Sequence, residues 1–335
     1  MLTQNQNLLD KILTPENLNK AWLRVRKNKG AAGIDGQTIN DFTQHFREHG
    51  KGIIDEIRAG RYQPYPVKRA YIEKSDGTWR GLGIPTVFDR VIQQAIVQVL
   101  SPLVDPTFSD HSYGFRPKRS QHQAVRQVQE YVKQGRKIAV DVDLSKFFDR
   151  VNHDFLMTLL GKITSDKMLL KLIARFLRAG MVEDGVWHET PEGVPQGGPL
   201  SPLLSNIVLD LLDKELEKRD HTFARYADDF IILVGSKRAG ERVLRSVTSF
   251  VERKLKLKVN DTKSQVALVS QCKFLGFTFH GGGLKWHDAA VEKFKFQIKQ
   301  LTGRSNGISM EKRIAELTVY LRGWINYFGI GQGYQ

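Results

Sequence analysis

The residues with the most chemical promise are aspartates placed where short apolar runs end. Asp143 follows Ile138-Ala139-Val140 with Asp141 two positions before it, and Asp228 and Asp229 lie inside Tyr226-Ala227-Asp228-Asp229-Phe230-Ile231-Ile232. Alternate residues of a strand face the same way, so Asp141 and Asp143 project from one face. Two such strands side by side would collect up to four carboxylates. Like charges at that density raise one another's pKa unless cations neutralise them, and hard oxygen ligands without His or Cys suit Mg2+. Paired Mg2+ ions about 3.5–4 Å apart serve in-line displacement at phosphorus. Taken singly, each acidic site reads equally well as exposed turn aspartates, but a Tyr-x-Asp-Asp between two apolar β-runs is far more specific than an arbitrary Asp pair.

Such carboxylates need rigid carriers. Ile138 to Leu144 is a β-rich run, and Phe223 to Val234 reads as strand, tight turn, strand, with Ala227-Asp228-Asp229 at or near the bend. Amphipathic helices over Pro199 to Leu216 and Arg238 to Leu257, and a hairpin around Phe274 to Leu284, complete an alternating α+β block. Upstream, residues 16 to 60 read as helices, with Leu18, Trp22 and Val25 at helical spacing until a glycine-rich loop over Lys27 to Gly36. Tyr71 to Ile84 reads as a hairpin turning at Ser75-Asp76-Gly77-Thr78, and Thr86 to Leu100 as a helix with Val87, Val91, Ala95 and Val99 on one face. Asp288 to Phe328 reads as two basic helices around a Gly303 to Gly307 loop.

The 335 residues are 41% hydrophobic and 26% charged, an ordinary globular balance, but 51 Lys and Arg against 36 Asp and Glu leave a charge of +15. That excess makes nucleic-acid phosphate the leading partner. It is concentrated from Lys237 onward, where 18 basic residues face 7 acidic ones. The single cysteine, Cys272, excludes an intramolecular disulfide framework and fits a reducing, cytoplasmic setting as a small buried apolar residue. Met1 to Pro15 is polar and lacks the pattern of a secretory signal. The longest strictly apolar run, Phe230 to Val234, is far short of the about 20 residues of a membrane span, so no membrane partner is expected.

Further motifs occur in a fixed order: TWRGLGIPTVFDRVIQQAI over Thr78 to Ile96, FSDHSYGFRPKRS over Phe108 to Ser120, IAVDVDLSKFFD over Ile138 to Asp149, and GVPQGGPLSPLLS over Gly193 to Ser205. FARYADDFIIL over Phe223 to Leu233, LKVNDTK over Leu257 to Lys263 and KFLGFTF over Lys273 to Phe279 follow. Together they resemble a reverse transcriptase of the group II intron-encoded kind. The resemblance implies an α+β right-hand polymerase: an N-terminal extension and fingers over 1–136, a split β-α-β palm over 137–285 that holds part of the fingers in its insertions, and a helical thumb leading into maturase sequence over 286–335. It also implies an RNA-directed DNA polymerase using two Mg2+ ions, an RNA template, a DNA or RNA primer and dNTPs, with a structured intron RNA as a further partner and with splicing and retrohoming as wider roles. Family members usually continue past the thumb. Tyr320 to Phe328 resembles only the start of that region, so the resemblance implies a truncated form.

By motif match, Asp143 and Asp228 are metal ligands, Asp229 belongs to the same acidic cluster, and Leu144 offers its backbone carbonyl. Asp141 matches no catalytic position and reads as a hydrogen-bonded strand residue. Phe148 matches the aromatic that closes the sugar pocket against a 2′-hydroxyl, with Phe147 as its core neighbour. Lys74 and Arg80 would fold over a triphosphate from the two sides of the hairpin, and Gln196 matches a nucleotide-pocket glutamine. Lys263 matches a lysine near the departing pyrophosphate, and reads equally as a surface lysine. Arg116 reads either as a template contact or as part of an intradomain ion pair. Lys293, Lys295, Lys299 and Arg304 would grip a template–primer backbone, with Val291, Phe294, Ile298 and Leu301 packing inward. His45 and His49 have helical metal-ligand spacing but no third ligand nearby, and Gly235 to Gly240 reads as a turn, not a phosphate loop.

Two other readings remain. One is a domesticated reverse transcriptase, for instance a CRISPR-associated one, and the other is an RNA-binding maturase acting mainly as a splicing cofactor. The acidic cluster discriminates, because a protein that only binds RNA gains nothing from carboxylates beside phosphates.

Overall fold

The structure, a computed structural model, describes residues 7–73, 77, 79–303 and 307–331. Lys74, most of the Ser75 to Thr78 turn, and Arg304 lie outside the described residues. In chain order, α1 (Leu8–Ile12), α2 (Pro15–Lys27) and α3 (Phe42–Arg58) precede β1 (Val67–Glu73), β2 (Trp79–Ile84), α4 (Val87–Val104) and α5 (Gln121–Lys133). β3 (Ile138–Val142) leads to α6 (His153–Ile163), α7 (Lys167–Leu177), β4 (Met181–Glu183), β5 (Val186–His188) and α8 (Ser201–Lys218). β6 (Thr222–Tyr226), β7 (Asp229–Val234), α9 (Lys237–Lys254) and β8 (Gln265–Leu268) follow. β9 (Phe277–His280), β10 (Gly283–Trp286), α10 (Asp288–Leu301) and α11 (Met310–Phe328) complete the described elements. No described helix is long and apolar enough to cross a membrane.

The chain forms two compact units, each assembled from separate stretches. The first comprises Met1–Ser109, Ser145–Leu212 and Val251–Lys258, and the second Asp110–Leu144, Asp213–Phe250 and Val259–Gln335. Helices α10 and α11 belong to the second unit, where they pack with residues of its sheet.

In the first unit, β1 joins β2 as the expected hairpin and also pairs in parallel with β4, giving a sheet of order β2-β1-β4-β5. The β4–β5 hairpin escaped the sequence reading because three-residue strands show too little alternation; its Asp184-Gly185 turn, with φ of +50° and +82°, was the available signal. Helix α4 runs to Val104, through Pro102, beyond the expected end at Leu100. It is buried on every side over its first turns, so Asp89, Arg90, Gln93 and Gln94 are interior along with the apolar stripe. Asp89 accepts from the Tyr62 hydroxyl at 2.7 Å, the Thr86 hydroxyl at 2.8 Å and the Tyr65 amide at 3.2 Å. Burial still outweighs these bonds and pushes its carboxyl up to about 6.

The second unit is built on an antiparallel sheet of order β6-β7-β3-β8. β3 and β6 run the same way with β7 inserted between them, which is the split β-α-β plan. Ala139, Val140 and Val142 of the central strand are buried, as a strand covered on both faces requires. One face packs on Ala124, Val128 and Val132 of α5, and the core continues through Cys272, Phe277 and Phe279 to Trp324 and Phe328 of α11. Trp324 and Phe328 stack at 4.1 Å, one helical turn apart. Each large side chain so buried contributes about 1.5–3 kcal/mol.

Candidate active site

The acidic residues meet in the second unit. Asp229 opens β7 and pairs with Tyr226, which leaves Ala227 and Asp228 as a two-residue turn, with Ala227 at φ +59°. Asp141 pairs with Ile231 and Val142 with Phe230, so extending the register brings Asp143 opposite Asp229 and Leu144 opposite Asp228. Asp141, Asp143 and Asp229 therefore share one face. Burial and then the charges of Asp228, Asp141 and Asp143 push the Asp229 carboxyl up to about 6. Asp141 is likewise pushed up to about 6, by burial first, with Asp143 adding to it and a Gln265 hydrogen bond and Lys273 opposing it.

The backbone beneath Asp143 is pinned. Its amide donates to the Ser264 hydroxyl at 3.1 Å, and its carbonyl accepts from the Asn260 amide at 2.8 Å. Asn260 also organises the loop carrying Lys263, accepting the amide and hydroxyl of Thr262 with its side chain, and Lys263 itself is exposed. Leu144 bridges Val259 in an antiparallel pair flanked by that Asn260-to-Asp143 bond. In such a pair the residue's own carbonyl points away from its partner, here toward the β7 side where the Asp228 turn lies.

Among the described residues, no three His, Cys, Asp or Glu side chains converge in ligating geometry, although the four aspartates are near enough to perturb one another. A hard cation such as Mg2+ needs only one or two carboxylates, with water and substrate phosphates filling the rest of its shell. The oxygens of Asp143, Asp228 and the Leu144 carbonyl are donors of the type such an ion takes.

The first unit holds the other motif residues. Phe147 is buried and Phe148 half-buried, their rings edge-on at 5.0 Å. The Val194 amide donates to the Phe148 carbonyl at 2.6 Å, and the Gly83 amide to the Gln196 carbonyl at 2.7 Å. These bonds tie the Gln196 segment to both the Phe148 turn and strand β2. Gly197, at φ +128°, lies so close that a Cβ there would sit 2.5 Å from the Gly83 carbonyl oxygen. Phe148, Gln196, Arg69, Gly83 and Asp149 line a cavity of about 290 Å³. Arg80 is exposed, and since it stands three residues from Gly83 it lies on the opposite face of the sheet. Arg69, on the cavity face, is a candidate missed by the sequence reading.

Of the residues expected at a template, Arg116 is buried and donates to the Ser112 carbonyl at 2.8 Å, which anchors it within the second unit. Lys293, Lys295 and Lys299 are exposed on α10, Lys295 bonding Glu292 at 2.9 Å, while Val291 is buried and Phe294 and Ile298 are half-buried. Arg225 and Asp213, fully buried beside the Asp228 turn, were also missed. The available signal was a single cation inside the apolar β6 run.

The family model described as reverse transcriptase (RNA-dependent DNA polymerase) matches residues 72–279, and that described as group II intron, maturase-specific domain, matches residues 291–334. Protein YkfC of Escherichia coli is 33% identical over 317 residues, covering 82% of each chain. The group II intron-encoded protein LtrA of Lactococcus lactis is 31% identical over 334 residues, covering 79% of this chain and 55% of LtrA. This chain thus spans little more than half of LtrA. Telomerase from Candida albicans, solved with a fragment of telomeric RNA, shares the fold with a TM-score of 0.52 at 15% identity, over 81% of this chain and 57% of that one. With the right-hand polymerase topology, the strand-borne aspartates and a family model covering most of its length in agreement, the chain belongs to the reverse transcriptase family of RNA-dependent DNA polymerases, in its group II intron-like branch.

Proposed function

We propose that the chain copies RNA into cDNA by two-metal nucleotidyl transfer, extending a DNA or RNA primer with dNTPs. The observation that carries this reading is that the register sets Asp143 opposite Asp229, with Asp228 in the adjoining turn, at one end of the β3–β7 pair. Mg2+ bound by Asp143, Asp228 and the Leu144 carbonyl would stabilise charge developing on the attacking and leaving oxygens. Asp143, with its amide and carbonyl both bonded, offers a fixed ligand orientation, and Asp229 adds negative charge that favours the ions over bulk water.

In the first unit, Phe148 closes the sugar pocket and Gln196 borders the nucleotide. Lys74 meets the triphosphate and Lys263 neutralises the departing pyrophosphate, whereas Arg80, on the sheet face away from the Phe148 cavity, would reach it only from the tip of the hairpin. Arg116 serves the fold, and Lys293, Lys295, Lys299 and Arg304 hold backbone phosphates. Fingers, palm and thumb are assigned over 1–136, 137–285 and 286–335. The maturase match at 291–334 favours a second role for the same basic helices, binding a structured intron RNA, with splicing and retrohoming as its setting.

Primer extension on an RNA template, with Mg2+ and either dNTPs or NTPs, tests the proposal. We expect DNA products from dNTPs that vanish on chelation, and RNA binding without any extension would leave the splicing role alone standing.

A further inference from the structure

Arg225 and Asp213 are both fully buried, and a desolvated ion pair costs more than it returns unless its remaining hydrogen-bonding capacity is used. Here the guanidinium spends its donors widely. Nε and Nη2 grip the Asp213 carboxylate at 2.8 and 2.5 Å, and Nη2 also donates to the Ser112 hydroxyl at 2.8 Å. Nη1 donates to the carbonyl oxygen of Ala227 at 2.9 Å. That carbonyl shares a planar peptide with the amide and Cα of Asp228, so holding it fixes the plane from which the Asp228 side chain departs.

The turn needs such a hold. Ala227 sits at φ +59°, a strained region for an alanine, and two residues make up the whole connection between β6 and β7. The 111–114 segment lies against it as well: the Arg225 amide donates to the His111 carbonyl at 2.9 Å, and the Tyr113 amide to the Arg225 carbonyl at 2.8 Å. A Cβ on Gly114 would fall 2.2 Å from the Ala227 nitrogen. An apolar side chain at 225 would fill the same volume without any desolvation cost, but would leave the Ala227 carbonyl without this donor.

We infer that Arg225, oriented by Asp213 and Ser112, is a positioning residue that sets the Ala227–Asp228 peptide plane and thereby the direction of the Asp228 carboxylate. The inference rests on Asp228 being a metal ligand. It assigns a catalytic consequence to a pair that touches neither substrate nor metal.

The experiment uses the full chain. Arg225→Met combined with Asp213→Leu replaces the pair by apolar side chains of similar volume, a change that buried pairs often tolerate. Arg225→Lys keeps the charge but loses the fork. Asp228→Asn tests the ligand reading separately. Thermal melting, primer–template Kd, kcat and KM for dNTP are measured alongside amide exchange of the 226–230 peptide. We expect the double variant to melt near wild type and to keep Kd and KM, while kcat falls about a hundredfold and the turn amides exchange faster than the rest of the sheet. Arg225→Lys should fall between, and it carries the test on the same readouts if the double variant does not fold. Wild-type kcat and wild-type turn exchange would overturn the inference. So would a kcat loss that only tracks melting, with the turn no faster than its sheet. An active Asp228→Asn would instead overturn the ligand reading, leaving the exchange data to decide whether Arg225 holds the turn.

Discussion

The ligand roles proposed for Asp143 and Asp228 can be tested with little change of shape, since asparagine keeps the volume and loses the charge. Asp143→Asn and Asp228→Asn should each abolish Mg2+-dependent primer extension while primer–template binding, read by filter retention, stays within about threefold, because backbone phosphates supply most of the binding. Undiminished extension by either variant would remove that residue from the metal site. Phe148→Ala opens the half-buried position beside Phe147, and incorporation of ribonucleotides should rise relative to deoxynucleotides in single-turnover assays. Unchanged selectivity would move the sugar barrier to another side chain. The aspartates stood out in the sequence because strand alternation and an Asp-Asp turn are local patterns, whereas Phe148 was singled out only by the family resemblance. Arg225 was not, since its meaning depends on Asp213, twelve positions away on a helix, and on Ser112, which only the folded sheet brings alongside.

At the level of elements, long periodic helices and the β6–β7 hairpin followed directly from spacing, whereas α4 was only half read. Its apolar stripe was visible, but the burial of its polar side depends on α2 and on Tyr62 from outside the helix. That burial has a pH signature. The Asp89 carboxyl is raised in the fold to about 6 from an ordinary 3.8, so the folded state binds the proton more tightly than the unfolded chain does. The penalty is therefore fully present above about 6 and is relieved as pH falls from there toward 3.8. At about 1.4 kcal/mol per pKa unit it is on the order of 3 kcal/mol. Asp141 and Asp229 shift in the same direction, so wild-type stability alone does not isolate Asp89. Urea denaturation of wild type and Asp89→Asn at pH 5 and pH 7 does: the variant, with no carboxyl to protonate at 89, should gain less on acidification. An identical gain in the two proteins would count against an ionised Asp89.

For the whole molecule, the +15 charge makes salt the most informative variable. Lys293, Lys295 and Lys299 stand exposed on α10, where Val291 is buried, Phe294 and Ile298 are half-buried and Phe296 is exposed, and three cations on one helix surface suit a polyanion. Replacing all three by Gln should weaken binding to unrelated RNA–DNA hybrids alike. Each lost phosphate contact should also flatten the plot of log affinity against log salt by about 0.9, taking the B-DNA value as a guide. An unchanged slope would mean that these lysines only keep the helix solvated. The division into two units was the part least visible in the sequence, because motifs are read consecutively while contacts are not.

That interleaving bears on how the chain is made. Strand β3 leaves the ribosome early, yet its partners β7 and β8 begin only at Asp229 and Gln265. The first unit cannot be complete until Val251–Lys258 has been synthesised. At about 5–20 residues per second the central strand waits several seconds, apolar and unpaired on both edges. Nascent chains stalled after β3 has emerged but before the β6–β7 hairpin has should therefore engage holdase chaperones most strongly, and release should coincide with emergence of that hairpin, which carries Asp228.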